Sequence, residues 1–167
     1  TVNADFAARL TRVRLLSLDV DGVMTDGGLY YADDGSQLRK FNVKDGLGIK
    51  RVRAAGVEVC IISAGRSDAV HHRAEILGLE QVHTQVKDKL HRLRSLARDL
   101  GVGLDAVAHM GDDLPDLAVM RAVGLPLAVA DAVAQVRAAA AYVTRRRGGD
   151  GAVREVCELL VTANDPD

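Results

Sequence analysis

The chain has 167 residues with a net charge of −1; 48% of the residues are hydrophobic and 3% are aromatic. This length favours a single core that needs no disulfide or structural metal for stability. The balanced charge and the few aromatic rings argue against nucleic-acid binding, and without a long apolar run or leader pattern we expect a cytoplasmic protein with no membrane span.

Apolar segments of strand length alternate with segments of helical period along the chain, which is typical of βαβ units that build a parallel sheet. We therefore predict a single α/β domain over residues 1–167. Strands are predicted at residues 13–20, 57–63 and 106–110, and helices at residues 67–77, 87–100 and 152–161. Cys60 and Cys157 lie in apolar surroundings of two of these elements, and we expect both to be buried thiols.

The alternation is interrupted directly after the first strand, at residues 27–43. Two short apolar runs flank the turn sequence Asp33-Asp34-Gly35-Ser36, which predicts a β-hairpin. An independent domain needs about 50 residues. The insertion is therefore interpreted as a flap.

Acidic residues follow two of the predicted strands. Asp19 and Asp21 end the first strand, where Gly22 allows a sharp turn, and the acidic segment 111–116 follows a later one. Each cluster alone could be a polar turn or a helix N-terminus. Because the carboxyl ends of parallel strands meet at one edge of a sheet, we expect the two clusters to share a crevice. Crowded carboxylates favour a hard divalent cation with oxygen ligands, and Mg²⁺ fits this description.

Two further side chains complete a chemical set at this edge. Ser63 ends the second predicted strand, and Lys89 lies near the start of the helix at 87–100. Each alone could be a solvated surface residue. Together with the carboxylates and a metal ion they provide a nucleophile, a proton carrier and groups that hold phosphate oxygens, which is what phosphoryl transfer requires.

The order of these residues resembles the four motifs of the haloacid dehalogenase superfamily: Asp19-Val20-Asp21-Gly22-Val23, then Ser63, then Lys89, then the segment 111–116. In a response-regulator receiver domain the lysine would come last. The flap, the segment 41–49, Arg73 and the ending 148–155 are further similar to the capless 3-deoxy-D-manno-octulosonate 8-phosphate phosphatase family. This resemblance implies a three-layer α/β/α, Rossmann-like sheet with a β-hairpin flap in place of a cap domain.

The resemblance also implies roles for the site residues. Asp19 would attack phosphorus to give an aspartyl-phosphate, and Asp21 would protonate the leaving oxygen and later activate water. Ser63 and Lys89 would hold the phosphoryl group. The implied Mg²⁺ ligands are Asp19, the Asp21 backbone carbonyl and Asp112. Asp113 and Asp116 would not bind the ion directly but would orient these ligands.

A sugar acid phosphate is the substrate class that the resemblance implies, in a pathway supplying a surface polysaccharide such as lipopolysaccharide. The positions matching the family's sugar contacts are Asn42, Val43, Lys44, Asp45, Gly46, Lys50, Arg73 and Lys89. Arg73 could equally be a surface residue. Relatives usually carry Arg or Glu where this chain has Gly65. The octulosonate 8-phosphate, ketodeoxynononate 9-phosphate and another small phosphate therefore stay open, in that order.

A flap this short leaves the crevice uncovered within one subunit. The resemblance to the phosphatase family implies a homotetramer in which the flaps pack together. In that tetramer a C-terminal segment of one subunit approaches the active site of another. The segment 145–149, Arg145-Arg146-Arg147-Gly148-Gly149, is assigned to that role, with a solvated basic turn as the alternative. The non-enzyme alternative is a catalytically silent oligomerisation module. Against it, the chain retains all five residues expected to act in catalysis, namely Asp19, Asp21, Ser63, Lys89 and Asp112.

Overall fold

The computed structural model describes residues 3–164. The strands in this part of the chain are β1 (Leu15–Leu18), β2 (Tyr30–Tyr31), β3 (Gln37–Leu38), β4 (Glu58–Ile62), β5 (Gln81–His83), β6 (Val107–Gly111), β7 (Leu125–Ala128) and β8 (Tyr142–Val143). Its α-helices are α1 (Ala4–Arg12), α2 (Val43–Ala54), α3 (Asp68–Leu77), α4 (Lys89–Asp99), α5 (Leu117–Met120), α6 (Ala134–Ala139) and α7 (Ala152–Asn164). Between residues 3 and 164, no helix has the length and apolar character needed to cross a membrane.

Six strands form one parallel sheet in the order β5-β4-β1-β6-β7-β8, which confirms the predicted α/β class. Strand side chains alternate between two separate cores. Leu16 and Leu18 pack with α1, α2, α3 and α7, whereas Leu15 packs with α4 and α5. The sheet therefore has a helical layer on each face, and the three strands β4, β1 and β6 lie at its centre.

The central elements match their predicted positions to within a few residues, and the last helix continues to Asn164. Helix α4 begins later than predicted because the Asp88 side chain accepts a hydrogen bond from the His91 amide and caps the helix. As predicted, Cys60 and Cys157 are buried and unbonded. Burial raises the pKa of the Cys60 thiol to about 12, so it is inert at neutral pH.

The insertion after β1 is the predicted hairpin. β2 and β3 pair antiparallel, with Tyr30 opposite Leu38, and the turn closes where the Gly35 amide donates to the Ala32 carbonyl at 2.9 Å. A further antiparallel bridge between Thr25 and Phe41 closes the base of the hairpin. The flap is thus tied to the loop that follows β1, which is the loop carrying the first acidic motif.

Helix α2 was not predicted, because Gly46 and Gly48 lower the helix propensity of its sequence. The structure shows why Gly48 is needed: a Cβ there would lie 2.9 Å from the Arg154 Cδ, 3.1 Å from the Arg154 Cα and 3.1 Å from the Cys157 Cβ. Helices α2 and α7 therefore approach closely at this residue. Their packing, rather than local preference, determines the structure here.

We expect Gly48→Ala to destabilise the protein by about 1–3 kcal/mol, because the added methyl group overpacks the contact between α2 and α7. Helix propensity alone would give the opposite sign, a gain of about 1 kcal/mol. Urea unfolding measures the difference. A variant more stable than the parent would contradict this account of the packing.

Candidate active site

The polar residues of the sequence motifs meet at the carboxyl edge of the central sheet. Asp19, Ser63 and Asp112 directly follow β1, β4 and β6, and they open into a crevice of about 280 Å³. The crevice is lined by Asp19, Asp21, Gly27, Ser63, Ala64, Gly65, Lys89, Asp112, Asp113, Pro115 and Asp116. The structure therefore brings together the acidic, hydroxyl and ammonium groups that the sequence places in separate motifs.

Lys89 is a buried cation on the wall of this crevice. Its Nζ lies 3.0 Å from the Asp19 Oδ1 and 2.8 Å from the Asp116 Oδ1. Burial by itself would lower the pKa of Lys89, but the two carboxylates outweigh it and raise that pKa. Lys89 therefore stays charged, and it sits where it can meet a further anion bound against Asp19.

Asp116 is buried at the innermost wall of the crevice, and protein donors bind both of its oxygens. Oδ1 accepts from Lys89 and lies 3.0 Å from the His109 Nε2, while Oδ2 accepts from the amides of Asp112 and Asp113. Although burial opposes ionisation, His109 and Lys89 hold the pKa of Asp116 well below its ordinary value. Asp116 therefore fixes both Lys89 and the loop that carries Asp112.

The sequence did not single out His109 for this site. It stands opposite Ser17 in the register of β1 and β6, and its Nδ1 lies 3.0 Å from the Ser17 hydroxyl. Both residues point into the layer of α4. Two polar residues at inward positions of otherwise apolar strands are the signal that could have identified the pair.

The remaining acids differ in burial and environment. Burial, and then the negative charges of Asp19 and Asp116, raise the pKa of Asp112 to about 8. Burial also raises the pKa of Asp19, with repulsion from Asp116 adding to it. Asp113 is exposed and caps the short helix Leu114–Asp116 through a 2.7 Å bond from the Leu114 amide.

The donor set suits a hard divalent cation. Asp19, Asp112 and Asp116 each offer a carboxylate oxygen, and these oxygens lie within 4.8 Å of one another. Because the oxygens of Asp116 are already engaged by protein donors, Asp19 and Asp112 are the side chains free to bind an ion. A cation there would relieve the repulsion that raises their pKa values.

The loop after β1 is shaped by glycines from two parts of the chain. Gly22 has a φ of +86°, and a Cβ there would overlap the Asp112 carboxylate. Cβ atoms at Gly148 and Gly149 would overlap the backbone of Gly22 and of Asp26 in the same chain. Within one chain the two glycines are buried and support their own site, whereas Arg145–Arg147 are exposed. The role of the segment 145–149 toward a neighbouring subunit stays a prediction.

Asp21 and Ser63 both lie close to Gly65, where a Cβ would be 3.1 Å from the Asp21 Oδ2 and 3.7 Å from the Ser63 Oγ. The Ser63 hydroxyl accepts a hydrogen bond from the Gly65 amide at 3.3 Å. The Asp21 carboxylate pairs with Arg39 of the flap, with 2.8 Å between the Arg39 Nε and the Asp21 Oδ1. The sequence did not predict Arg39, because only the folded position of the flap brings it to this crevice.

Of the positions matched to sugar contacts, Lys89 lines the crevice, and the others lie outside the crevice of a single chain. Asn42 caps α2, its side chain accepting from the Lys44 amide and donating to the Gly149 carbonyl. Val43, Lys44 and Lys50 are exposed on α2, while Asp45 and Gly46 are buried on it. Their role in binding stays a prediction.

Arg73 and Asp45 belong to that set but make contacts within the chain. The Arg73 Nη2 donates to the Asn42 carbonyl at 3.3 Å, and its guanidinium lies 6.0 Å from the Phe41 ring centroid. The Asp45 Oδ1 accepts from the Arg154 amide at the start of α7, and burial raises the pKa of Asp45 to about 6. Within residues 3–164, the Arg73 Nε and the Asp45 Oδ2 are buried without a hydrogen-bond partner.

Comparison with known proteins gives consistent matches. Residues 78–156 match the family model of haloacid dehalogenase-like hydrolases. The 3-deoxy-D-manno-octulosonate 8-phosphate phosphatase of Escherichia coli K12 is 44% identical over 162 residues, covering 97% of this chain and 86% of that protein. The Yersinia pestis crystal structure of that phosphatase is 43% identical with a TM-score of 0.95, covering 97% of this chain and 88% of that one. The Moraxella catarrhalis structure, solved with magnesium, phosphate and 3-deoxy-D-manno-octulosonate, is 38% identical with a TM-score of 0.92, covering 94% and 90%.

The raised pKa of Asp112 predicts how metal binding depends on pH. Below about pH 8 the folded protein holds a proton that a bound Mg²⁺ must displace, so affinity should rise by up to about tenfold per pH unit and level off above that value. The rise in melting temperature on adding Mg²⁺, measured from about pH 6 to about pH 9, reports this trend. Asp112→Asn should abolish the rise. A shift that does not vary with pH would contradict the assignment.

Proposed function

Because the chain belongs to the 3-deoxy-D-manno-octulosonate 8-phosphate phosphatase family of haloacid dehalogenase-like hydrolases, and is accordingly a phosphoric monoester hydrolase, we propose that this sugar acid phosphate is its substrate. The observation that carries the proposal is the buried contact of Lys89 with Asp19 in a crevice that also holds Asp21, Ser63 and Asp112. The 44% identity over 97% of the chain supports the choice of substrate.

In the first step the Asp19 carboxylate attacks phosphorus. A bond forms between an Asp19 oxygen and phosphorus, the bond from phosphorus to the sugar oxygen breaks, and Asp21 gives its proton to that leaving oxygen. In the second step the ionised Asp21 takes a proton from water as the water oxygen attacks phosphorus. The bond to Asp19 then breaks, which releases inorganic phosphate and restores the enzyme.

Ser63 and Lys89 hold the phosphoryl group in both steps. The Lys89 ammonium already lies 3.0 Å from the Asp19 Oδ1, so it can bind a phosphate oxygen beside the attacking atom. The Ser63 hydroxyl is buried at the end of β4, and its bond from the Gly65 amide fixes its position. Its own proton remains free to be donated to a phosphate oxygen.

Mg²⁺ fits the acidic side of the crevice, where the Asp19 and Asp112 carboxylates and the Asp21 backbone carbonyl would hold it. When bound, the ion supplies positive charge that neutralises the phosphate and the crowded carboxylates. Asp116 and Asp113 would support the ligands: Asp116 accepts from the Asp112 amide at 3.0 Å, and Asp113 caps the next short helix. The Moraxella catarrhalis relative solved with magnesium supports this choice of metal.

The proposal includes a homo-oligomer, with a tetramer as the expected state. The flap exposes Leu29, Tyr30, Tyr31 and Leu38, and a lone two-stranded hairpin is marginally stable in water. Packing against flaps of other copies would bury these side chains. It would also bring residues of a neighbouring subunit, Arg145–Arg147 among them, near the open side of the crevice and near α2.

We place the reaction in the cytoplasm, where a sugar acid for lipopolysaccharide would be made. The two cysteines are free and buried, which is compatible with a reducing compartment.

A substrate panel tests the proposed activity. We expect kcat/KM for phosphate release with Mg²⁺ to be at least about tenfold higher for 3-deoxy-D-manno-octulosonate 8-phosphate than for ketodeoxynononate 9-phosphate or a hexose 6-phosphate. Asp19→Asn, the matched control, should lose turnover on every substrate while keeping its fold by circular dichroism. A preference for another phosphate would refute the proposed substrate, and turnover by Asp19→Asn would refute the nucleophile.

The flap is tested by assembly. We expect Tyr31→Asp to shift the protein from a tetramer to smaller species in analytical ultracentrifugation, because it places a charge in the proposed contact between flaps. Ile76→Asp is the matched control: Ile76 is 66% exposed and Tyr31 is 63% exposed, but Ile76 lies on α3 rather than on the flap. Unchanged assembly of Tyr31→Asp, or equal dissociation of both variants, would exclude the flap as the interface.

A further inference from the structure

The flap delivers one side chain to the crevice. Arg39 directly follows β3, and its guanidinium engages both oxygens of Asp21: Nε donates to Oδ1 at 2.8 Å and Nη2 donates to Oδ2 at 3.4 Å. The Arg39 side chain is only 4% exposed, although both strands of the hairpin are exposed. The Asp21 side chain is 35% exposed, so the pair differs from a surface ion pair in that one partner, Arg39, is held in place by its surroundings.

Arg39 is placed by the base of the flap rather than by its tip. Two residues further on, the backbone of Phe41 bridges to Thr25, which ties the chain next to Arg39 to the loop that carries Asp21. Within the flap, the Arg39 Nη1 also donates to the Gln37 side chain at 3.3 Å. The neighbouring Lys40 pairs with Asp26 at 3.0 Å, but this pair is largely exposed and contributes little to the placement of Arg39.

Gly65 leaves the space that this pair occupies. Its backbone is not in the left-handed region, so its φ does not require glycine. A Cβ at this position would lie 3.1 Å from the Asp21 Oδ2 and 3.5 Å from the Arg39 Nη2. The first distance is tighter than most real Cβ contacts, and a longer side chain would have to displace one partner. The absence of a side chain at Gly65 therefore leaves the room in which Arg39 and Asp21 pair.

We propose that Arg39 is a positioning residue that aims the Asp21 carboxylate for proton transfer, and that Gly65 is the spatial complement of this pair. The inference rests on the proposed function, in which Asp21 protonates the leaving oxygen. Among residues 3–164, Arg39 is the one side chain hydrogen-bonded to that carboxylate. Each carboxylate oxygen has two lone pairs, so Arg39 can occupy one on each oxygen and leave the others for the leaving oxygen and for water.

The test compares an alkyl with an aryl phosphate, because only the alkyl leaving group needs a proton from Asp21. For Arg39→Met we expect kcat/KM on a hexose 6-phosphate to fall by about ten- to a hundredfold, the range that misplacement of a reacting group produces. On 4-nitrophenyl phosphate the fall should be less than about threefold, since nitrophenolate leaves without a proton. Arg39→Lys, which keeps the charge but not the paired donors, should recover part of the alkyl activity.

Lys40→Met is the matched control. It removes the adjacent flap cation and its pair with Asp26, and it should leave the alkyl-to-aryl ratio of kcat/KM unchanged. Gly65→Ala is the second variant: alone it should lower that ratio by about threefold or more, and in the Arg39→Met background its further effect should be clearly smaller, because the pair of Arg39 and Asp21 is already broken.

The proposal is overturned if Arg39→Met lowers kcat/KM equally on both phosphates, if Lys40→Met changes the ratio of kcat/KM as much, or if the losses in that ratio from Gly65→Ala and Arg39→Met multiply in full. A loss confined to substrates that carry a carboxylate would also overturn it, by making Arg39 a direct substrate contact. The comparison of a hexose 6-phosphate with 4-nitrophenyl phosphate uses no sugar acid. If the protein failed to hydrolyse 3-deoxy-D-manno-octulosonate 8-phosphate, the proposed substrate would be refuted, but the alkyl-to-aryl ratio of kcat/KM would still decide the role of Arg39.

Discussion

The charge of Lys89 is the feature on which the crevice depends. Asp19, Asp112 and Asp116 crowd the carboxyl edge of one sheet, and the buried ammonium between Asp19 and Asp116 offsets part of their repulsion. Removing one partner of such a buried pair typically costs about 3–5 kcal/mol. Lys89 also stands at the first residue of α4, where the helix dipole disfavours a cation. The attraction of two carboxylates outweighs that local preference.

The fold and the motif residues were largely predictable because they depend on local patterns. The pattern of apolar residues predicted the central strands β1, β4 and β6. Because parallel strands end at one edge of a sheet, Asp19, Ser63 and Asp112 could be predicted to lie together. Helix α2 was not predicted because its two glycines lower the helix propensity of the segment. The helix is stabilised by its packing against α7. The short strands β5 and β8 lie at the sheet edges, half-buried and without a strong apolar run.

The supporting residues were missed for a different reason. Arg39 and His109 act through contacts between distant segments: one depends on where the flap lies, the other on the register between β1 and β6. Arg39 has no local signature, since an arginine in a turn is ordinary, and the only sign of His109 is a polar residue at an inward position of an apolar strand. Gly65 did stand out in the sequence, but only because it lacks the side chain that relatives carry there. In the folded chain the pair of Arg39 and Asp21 lies against it.

The tight packing of Gly148 and Gly149 against the loop from Gly22 to Asp26 has a consequence for the synthesis of the protein. The loop that carries Asp21 follows the first strand and leaves the ribosome early, yet its backbone is held by residues close to the last helix. The acidic edge therefore cannot reach its final shape before residues 148–149 have emerged, and α2 lacks its packing partner until α7 has followed them. Catalytic competence is thus a late event in the synthesis of the chain.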